Sequence, residues 1–524
     1  MATERSHSVS SSSASHRQDD VLEKQANESK EEPQQALGQV DLTDVDSDAE
    51  KKLKEANLVL TPGQEPITEQ EFKQTLRRID LILMPFMCLS VLLQYLDKTS
   101  LNYANLLNIR QDLDFTQRQY SWLGSIFYLG YLAASPVHGY FLQKVNLTRY
   151  LGLMILLWGI TLTLHAAAFD YAGLVACRLF LGIFEAALTP GFILLTGRFY
   201  KSREQIARTN IWFSMNGFAQ ILGGAISYGV QVQKPSKLKV WQELYIILGV
   251  ITVVYSFAVF FGMPDSPETT KIFKTDRMRM AAIERIRTNK TGLHDKKWKW
   301  YQCREALLDV RLYLVFLLII TTDIANGITS NFSSAILKGL GFDSKKTALV
   351  GMSTGVSEVV AIILGIVIAY ATNTRFIPGV FSFMIAIVGG ALVLASDERV
   401  TQVAGYNLIF FFPIGSALLY SWLSSAIGGT TKKIVFNVVL QFGYSAGNII
   451  GPQAAGVAPH YRLGKAVMLA MFSISAFAMC AISLVHFVWN KQRDRAHEKG
   501  QDEPALSELA DHTDKELRSF RYPY

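Results

Sequence analysis

Six ionisable residues occupy places where such residues are costly. Asp97, Lys98, Arg178, Glu185, Asp323 and Glu358 each lie inside stretches that are otherwise apolar. Hydrocarbon penalises buried charge, so a chain that keeps charge there uses it to line a water-accessible path or to pair with a neighbour. Arg178 and Glu185 stand seven apart in ACRLFLGIFEAALTPGFILLTGRFY. That spacing is about 10 Å of helix and almost two turns, so the two side chains point the same way but are too far apart to pair. If both face one cavity, Arg178 can bind a carboxylate on its planar, permanently charged fork, and Glu185 can take up a proton. The alternative is that each pairs with a neighbouring helix and holds it in place.

The other polar groups in apolar stretches extend this pattern. Lys98, Asn102 and Asn105 recur at four and three residues and share a helix face. Lys98 is read as an anion contact or an interfacial anchor, and Asn102 as a polar substrate contact. Asp97, adjacent to Lys98, must find a different partner. IITTDIANGITSNFSS supplies Asp323 as a second proton site and Asn326 as a substrate contact. Gly327 there is read as a break that opens the helix near a substrate. Glu358 is a third proton site, or a salt-bridge partner. Gln441 and Tyr444, with Asn437 and Asn448, fit either ligand ordering or helix joining, as do Asn210, Asn216 and Gln220. Gly223, Gly224, Gly443 and Gly447 are read as close-packing positions. The histidines lack metal-ligand spacing and the four cysteines are scattered, so neither a metal site nor a cofactor is expected.

The elements that must position these groups are long apolar spans. Half of the 524 residues are hydrophobic and only 18% are charged, a balance unlike that of a soluble enzyme. The first span begins after Arg77 and Arg78 and runs through LILMPFMCLSVLLQYLDKTSLNYANLL. Others fall near 120–140, 150–169, 171–197, 208–230, 243–262, 310–337, 348–370, 376–395, 402–425, 434–456 and 465–489. About 20 residues cross the hydrocarbon of a bilayer, so the pattern predicts an all-α membrane protein with twelve transmembrane helices in two six-helix bundles. The boundaries are a polar tail over 1–75, a first bundle over 76–262, a basic loop over 263–309, a second bundle over 310–489 and a tail over 490–524. Residues 1–52 lack the apolar content to form a core and read as disordered; Ser47, among acidic residues, is a candidate phosphorylation site.

Twelve crossings put both termini on one side. Arg77, Arg78, Lys144, Arg149, Arg198, Lys201, Arg203, Lys432, Lys433, Lys491, Arg493 and Arg495 then share that side with the central loop, which makes it cytoplasmic. Lys234, Lys237 and Lys239 run against the trend. The net charge of +7 is not gathered into a nucleic-acid-binding cluster, and it suits an anionic lipid surface. No nucleotide loop or catalytic triad spacing is present, which argues against an enzyme.

LDKTSLNYA, YSWLGSIFYLGY, RLFLGIFEAALTPG and the PDSPETT turn together carry a resemblance over residues 76–490. They resemble the major facilitator superfamily, specifically its anion:cation symporter branch and the fungal allantoate permease-like group. The resemblance implies two bundles around a central site with alternating access. It also implies uptake of a small organic anion or vitamin of the allantoate, ureidosuccinate, nicotinate or pantothenate type with protons, by a monomer in the plasma membrane. It ties Arg178 to substrate and Glu185 to proton coupling. The loop GYFLQKVNLTR keeps Gly139 and Lys144 of the superfamily pattern but has Gln143 where an Asp is usual. Some animal relatives carry a positive charge where this chain has Asp323 and Asn326, which implies a less anionic substrate or another proton route. Efflux of a secondary metabolite and a transport-inactive nutrient sensor are the alternatives.

Overall fold

The structure is a computed structural model that describes residues 67–233, 237–270, 272–273, 275–287, 298–458, 460–498, 512–517 and 520–523. The expected disorder of residues 1–52 and the Ser47 site lie outside the described residues. Every regular element among the described residues is helical.

Local chemistry sets the helix starts. Thr68 and Glu71 form a reciprocal capping box that begins α1 (Glu69–Leu106). The expected start at 76 is therefore too late, because charged residues extend the helix past the apolar run. Thr116 and Gln119 do the same for α2 (Gln117–Lys144). α3 (Leu147–Leu164) follows after two residues, so the chain must turn straight back.

Asp170 caps α4 (Tyr171–Glu185), and α5 (Leu188–Phe199) continues the same span after a break at Ala186 and Ala187. Pro190 explains that break. It has no N–H to give the Ala186 carbonyl, and its ring crowds that carbonyl. The next span is also divided, into α6 (Ser202–Phe213) and α7 (Met215–Val232), and α8 (Val240–Gly262) ends the first half.

Among its described residues, the central stretch 263–309 holds two short helices, α9 (Asp276–Arg287) and α10 (Trp300–Leu307). Asp309 then caps α11 (Val310–Lys338). α12 (Ser344–Thr372), α13 (Phe376–Ala395), α14 (Arg399–Ile409), α15 (Pro413–Ala426), α16 (Thr430–Ala454) and α17 (Arg462–Glu498) complete the order. The last helix passes the expected end at 489 by nine residues.

The helix break expected at Gly327 is overturned. α11 runs unbroken through it, and a Cβ at Gly327 would lie 3.2 Å from Asn448 Cα of α16. The glycine admits a neighbouring backbone instead of opening the helix. Gly447 completes the seam, where a Cβ would meet the Asp323 Cβ at 2.7 Å. Gly182 of α4 packs on the Phe127 carbonyl of α2, and Gly217 of α7 packs on the Gly355 carbonyl of α12. Membrane helices associate through such seams because lipid gives apolar side chains no reason to cluster.

Among the described residues, ten helical segments are long and apolar enough to cross a membrane. Large apolar side chains such as Leu81, Val254, Phe261, Tyr370 and Phe477 stand exposed along them. The chain is a multi-pass membrane protein.

Candidate functional site

Lys98 lies in the last third of α1, eight residues before its end, and helices from both halves of the chain converge on it. Tyr95, one turn earlier, lies with its ring centroid 5.7 Å from the Lys98 ammonium. Tyr128 of α2 and Tyr444 of α16 approach at 5.5 and 5.6 Å. The ammonium also donates to the Tyr444 hydroxyl at 3.4 Å. Three electron-rich ring faces hold a cation where hydration is scarce. Asp323, Glu185 and Glu358 are the acids whose charges act on it.

Each acid is anchored on a different wall. Asp323 accepts from Asn448 at 2.8 Å and from Asn326 at 3.2 Å, and Asn326 also donates to the Asn448 carbonyl oxygen of the side chain at 3.1 Å. Glu185 accepts from the Gln94 amide at 2.9 Å through one oxygen. Its other oxygen is buried without a hydrogen-bond partner among the described residues. Glu358 accepts from Gln220, whose carbonyl oxygen takes the Thr354 hydroxyl at 2.9 Å. Gln441 lies beside the Tyr131 hydroxyl, and its amide nitrogen is buried without a well-formed hydrogen bond among the described residues. Buried acceptors and donors left open in this way can receive a proton or a polar ligand.

Arg178 and Asp97 form a second, adjoining cluster within the first half. Arg178 donates to Ser100 at 3.1 Å and to the Tyr245 hydroxyl at 3.0 Å. Ser100 donates to Asp97 at 3.4 Å, and the Trp158 indole N–H donates to the other Asp97 oxygen. Arg178 is 3% exposed, and its Nε has no partner among the described residues. Arg178 and Glu185 thus take different immediate neighbours, although one helix carries both.

Asn102 is engaged elsewhere again. It accepts from the Ser334 backbone N–H and donates to the Ser334 hydroxyl, both at 2.9 Å. Nearby, Tyr120 donates to the Asn331 carbonyl at 2.6 Å and Ser125 to the Ile449 carbonyl at 2.7 Å. All three contacts join the two halves of the chain at the helix ends opposite Arg198 and Lys432. Toward the basic end, the Phe213 and Tyr420 rings stack across the halves at 6.2 Å.

Sequence reasoning named Tyr444 but missed its cage partners Tyr95 and Tyr128, and it missed Gln94, Trp158 and Tyr245. Tyr95 and Gln94 were within reach, since they precede Lys98 by three and four residues on one helix face. Tyr128, Trp158 and Tyr245 come from distant segments, and only the packing brings them in.

Residues 87–452 match the family model of the Major Facilitator Superfamily. The allantoate permease of Saccharomyces cerevisiae is 34% identical over 475 residues, covering 87% of each chain. The thiamine pathway transporter of the same yeast is 32% identical over 464 residues, covering 86% of each. Among solved structures, a bacterial homolog of the human lysosomal transporter Spinster, inward-facing and unoccupied, aligns with a TM-score of 0.58. It is 13% identical and covers 79% of this chain and 96% of its own. The xylose transporter of E. coli, partially occluded and inward open, aligns at 0.59 with 10% identity, covering 76% and 97%.

Proposed function

The chain belongs to the Major Facilitator Superfamily, and on that premise we propose that it imports a small organic anion together with protons. As a member it is a secondary transporter of the alternating-access type and not an enzyme. Our finer reading places twelve spans in two six-helix bundles, Glu69–Gly262 and Val310–Glu498, with both termini cytoplasmic and the protein acting as a monomer in the plasma membrane. The carboxylate-bearing substrates suggested by the yeast allantoate permease fit the central groups.

The observation that carries this reading is the Lys98 cage among three carboxylates. With every group ionised, Asp97, Glu185, Asp323 and Glu358 outnumber Lys98 and Arg178 by two negative charges. An anion at about 4 Å from one uncompensated carboxylate meets roughly 4 kcal/mol of repulsion at an effective dielectric of 20. Protonation of Glu185, Asp323 or Glu358 removes that repulsion and leaves Lys98 free to pair with the substrate. Proton and anion binding thereby favour each other, and linkage makes the effect reciprocal. Coupling also matters for transport itself, since one uncompensated charge is worth about 2.3 kcal/mol per 100 mV of membrane potential.

In this scheme Lys98, Tyr444, Asn326 and Gln441 contact the substrate. Arg178 adds positive field and, through its open Nε, a second anion contact. Asn102 is locked to Ser334 while the outer end is closed, and it reaches substrate only when that end opens. The closed outer contacts, with the Phe213–Tyr420 pair toward the basic end, suit an inward-facing state. When the bundles rock, the Asn102, Tyr120 and Ser125 contacts part and the Phe213–Tyr420 side closes.

Uptake by intact cells over a panel of ureides, vitamins and monocarboxylates, with and without a proton gradient, tests the proposal. Gradient-dependent accumulation of one carboxylate supports import. Reduced accumulation indicates export, and binding without accumulation indicates a sensor; either outcome would overturn the reading.

A further inference from the structure

The C-terminal segment, described at 512–517 and 520–523, belongs to no span, yet it carries side chains into the protein interior. Thr513, Asp514 and Tyr522 are buried, Asp514 completely so. One Asp514 oxygen accepts from Arg311 at 2.6 Å and from the Tyr522 hydroxyl at 2.9 Å. The other accepts from Lys432 at 2.8 Å and from the Gly428 N–H at 3.1 Å. The Asp514 carbonyl takes Arg493 at 2.6 Å. Tyr522 exchanges two 2.9 Å backbone hydrogen bonds with the Asn490 side chain. Its ring lies 4.8 Å from the Arg311 guanidinium and 4.4 Å from that of Arg493.

Charge balance gives this docking its weight. Asp309 and Glu305 also pair within the cluster, at 2.6 Å to Arg311 and 2.8 Å to Lys432 respectively. Without Asp514, three cations (Arg311, Lys432 and Arg493) face those two acids. Lys515 brings little opposing charge, because it is partly exposed and only 4.0 Å from Asp309. With the segment docked, Arg311 and Lys432 have no exposed surface, so Asp514 supplies counter-charge that water does not, and losing that one acid from the closed socket leaves a buried cation in excess, which is strongly destabilising.

We propose that residues 513–517 and 520–522 form an intramolecular docking peptide for the socket formed by Arg311, Lys432 and Arg493. The peptide clamps the basic ends of α11 and α16. Arg311 precedes Asp323 by twelve residues, and Lys432 precedes Tyr444 by twelve, so the clamp sits about 18 Å from the Lys98 cage along both helices. It thus fixes the register of the two helices that supply one wall of that cage. The proposal holds whatever the substrate is, because it concerns a contact of the chain with itself.

The test uses the purified protein in detergent, a version ending at residue 511, and a fluorescent peptide of residues 512–524. The shortened protein is expected to melt roughly 5–10 °C lower. It should bind the peptide saturably, and a peptide carrying Asp514→Asn should bind about tenfold or more weakly. The intact protein should bind none, since its socket is filled. An unchanged melting temperature together with no peptide binding would overturn the proposal. Should the shortened protein not fold, Gly428→Ala in the intact chain serves instead, because the added Cβ would be driven into the Asp514 backbone. That substitution should make limited trypsin digestion after Lys515 several-fold faster. Equal digestion rates would refute the docking.

Discussion

Replacing Lys98 with Gln removes the cation at the centre of the site while keeping a polar chain of similar reach. A substrate carboxylate in contact with the ammonium, at about 4 Å, gains roughly 4 kcal/mol at an effective dielectric of 20. The tyrosine hydroxyl at 3.4 Å and three rings at 5.5–5.7 Å already stabilise the cation, so part of that gain is lost when the anion displaces those contacts. Each ring contributes about 0.5–1 kcal/mol, which leaves about 1–2.5 kcal/mol for the anion. Lys98→Gln should therefore weaken substrate binding about 5- to 60-fold. The assay is initial-rate uptake in cells over a range of substrate concentrations, normalised to folded transporter by fluorescence-detected size exclusion. Lys98→Arg, which keeps the charge but not the fit within the cage, should fall between the two. A Lys98→Gln protein with an unchanged KM and normal abundance would refute the assignment of Lys98 to the anion.

Four further outcomes follow from the same geometry. Glu185→Gln and Asp323→Asn mimic protonated acids, so each should keep exchange of substrate across the membrane while losing accumulation driven by a proton gradient; normal accumulation in both would exclude these acids as proton carriers. Arg178→Lys removes the guanidinium whose one terminal nitrogen serves Ser100 and Tyr245 while its Nε stays open to an anion, and uptake should fall at least about tenfold; unchanged uptake would assign Arg178 no part in transport. Gly182→Ala forces a Cβ into the Phe127 carbonyl and should cost about 1–3 kcal/mol, read as a lower melting temperature in detergent. Asp309 and Asp514 bear on acid stability. Burial alone would raise both pKa values, but the hydrogen bond and charge of Arg311, with Lys432, hold Asp309 down at about 2, and the charges of Arg311 and Lys432 hold Asp514 down as well. Carboxylates depressed in the folded state stabilise above their ordinary value of about 3.9 and lose that contribution as pH falls toward the folded value. The part of the melting temperature that depends on residues 512–524 should be flat from about pH 5 to 8 and decline between about pH 4 and 2; a midpoint near pH 6 would contradict this.

Much of the architecture was legible in the sequence because lipid demands continuous apolar helices, and the chain writes them plainly. Span ends were less legible where polar residues continue a helix, as at Glu69, where a capping box sets the start instead of hydropathy. The break expected at Gly327 is absent there, and a break that no sequence reading marked falls before Pro190. Glycine was read as a breaker, but it serves as a contact surface, while the proline breaks its span by the loss of one donor. Within the site, spacing along one helix put Arg178 and Glu185 on a common side, but it could not say that Ser100 and Tyr245 meet the first and Gln94 the second. Those partners lie 67 to 91 residues away, and only tertiary packing selects them. The tail past 490 read as polar and unremarkable, since nothing local marks Asp514 as a residue bound for a buried cluster.

Joint movement of proton and anion is the claim on which the rest stands. It is tested most directly by recording the pH of a weakly buffered suspension of expressing cells as each carboxylate of the panel is added. Alkalinisation that accompanies uptake of one compound, and that disappears in Lys98→Gln cells, is the expected result. Uptake with no pH change, or with acidification, would contradict proton-coupled import.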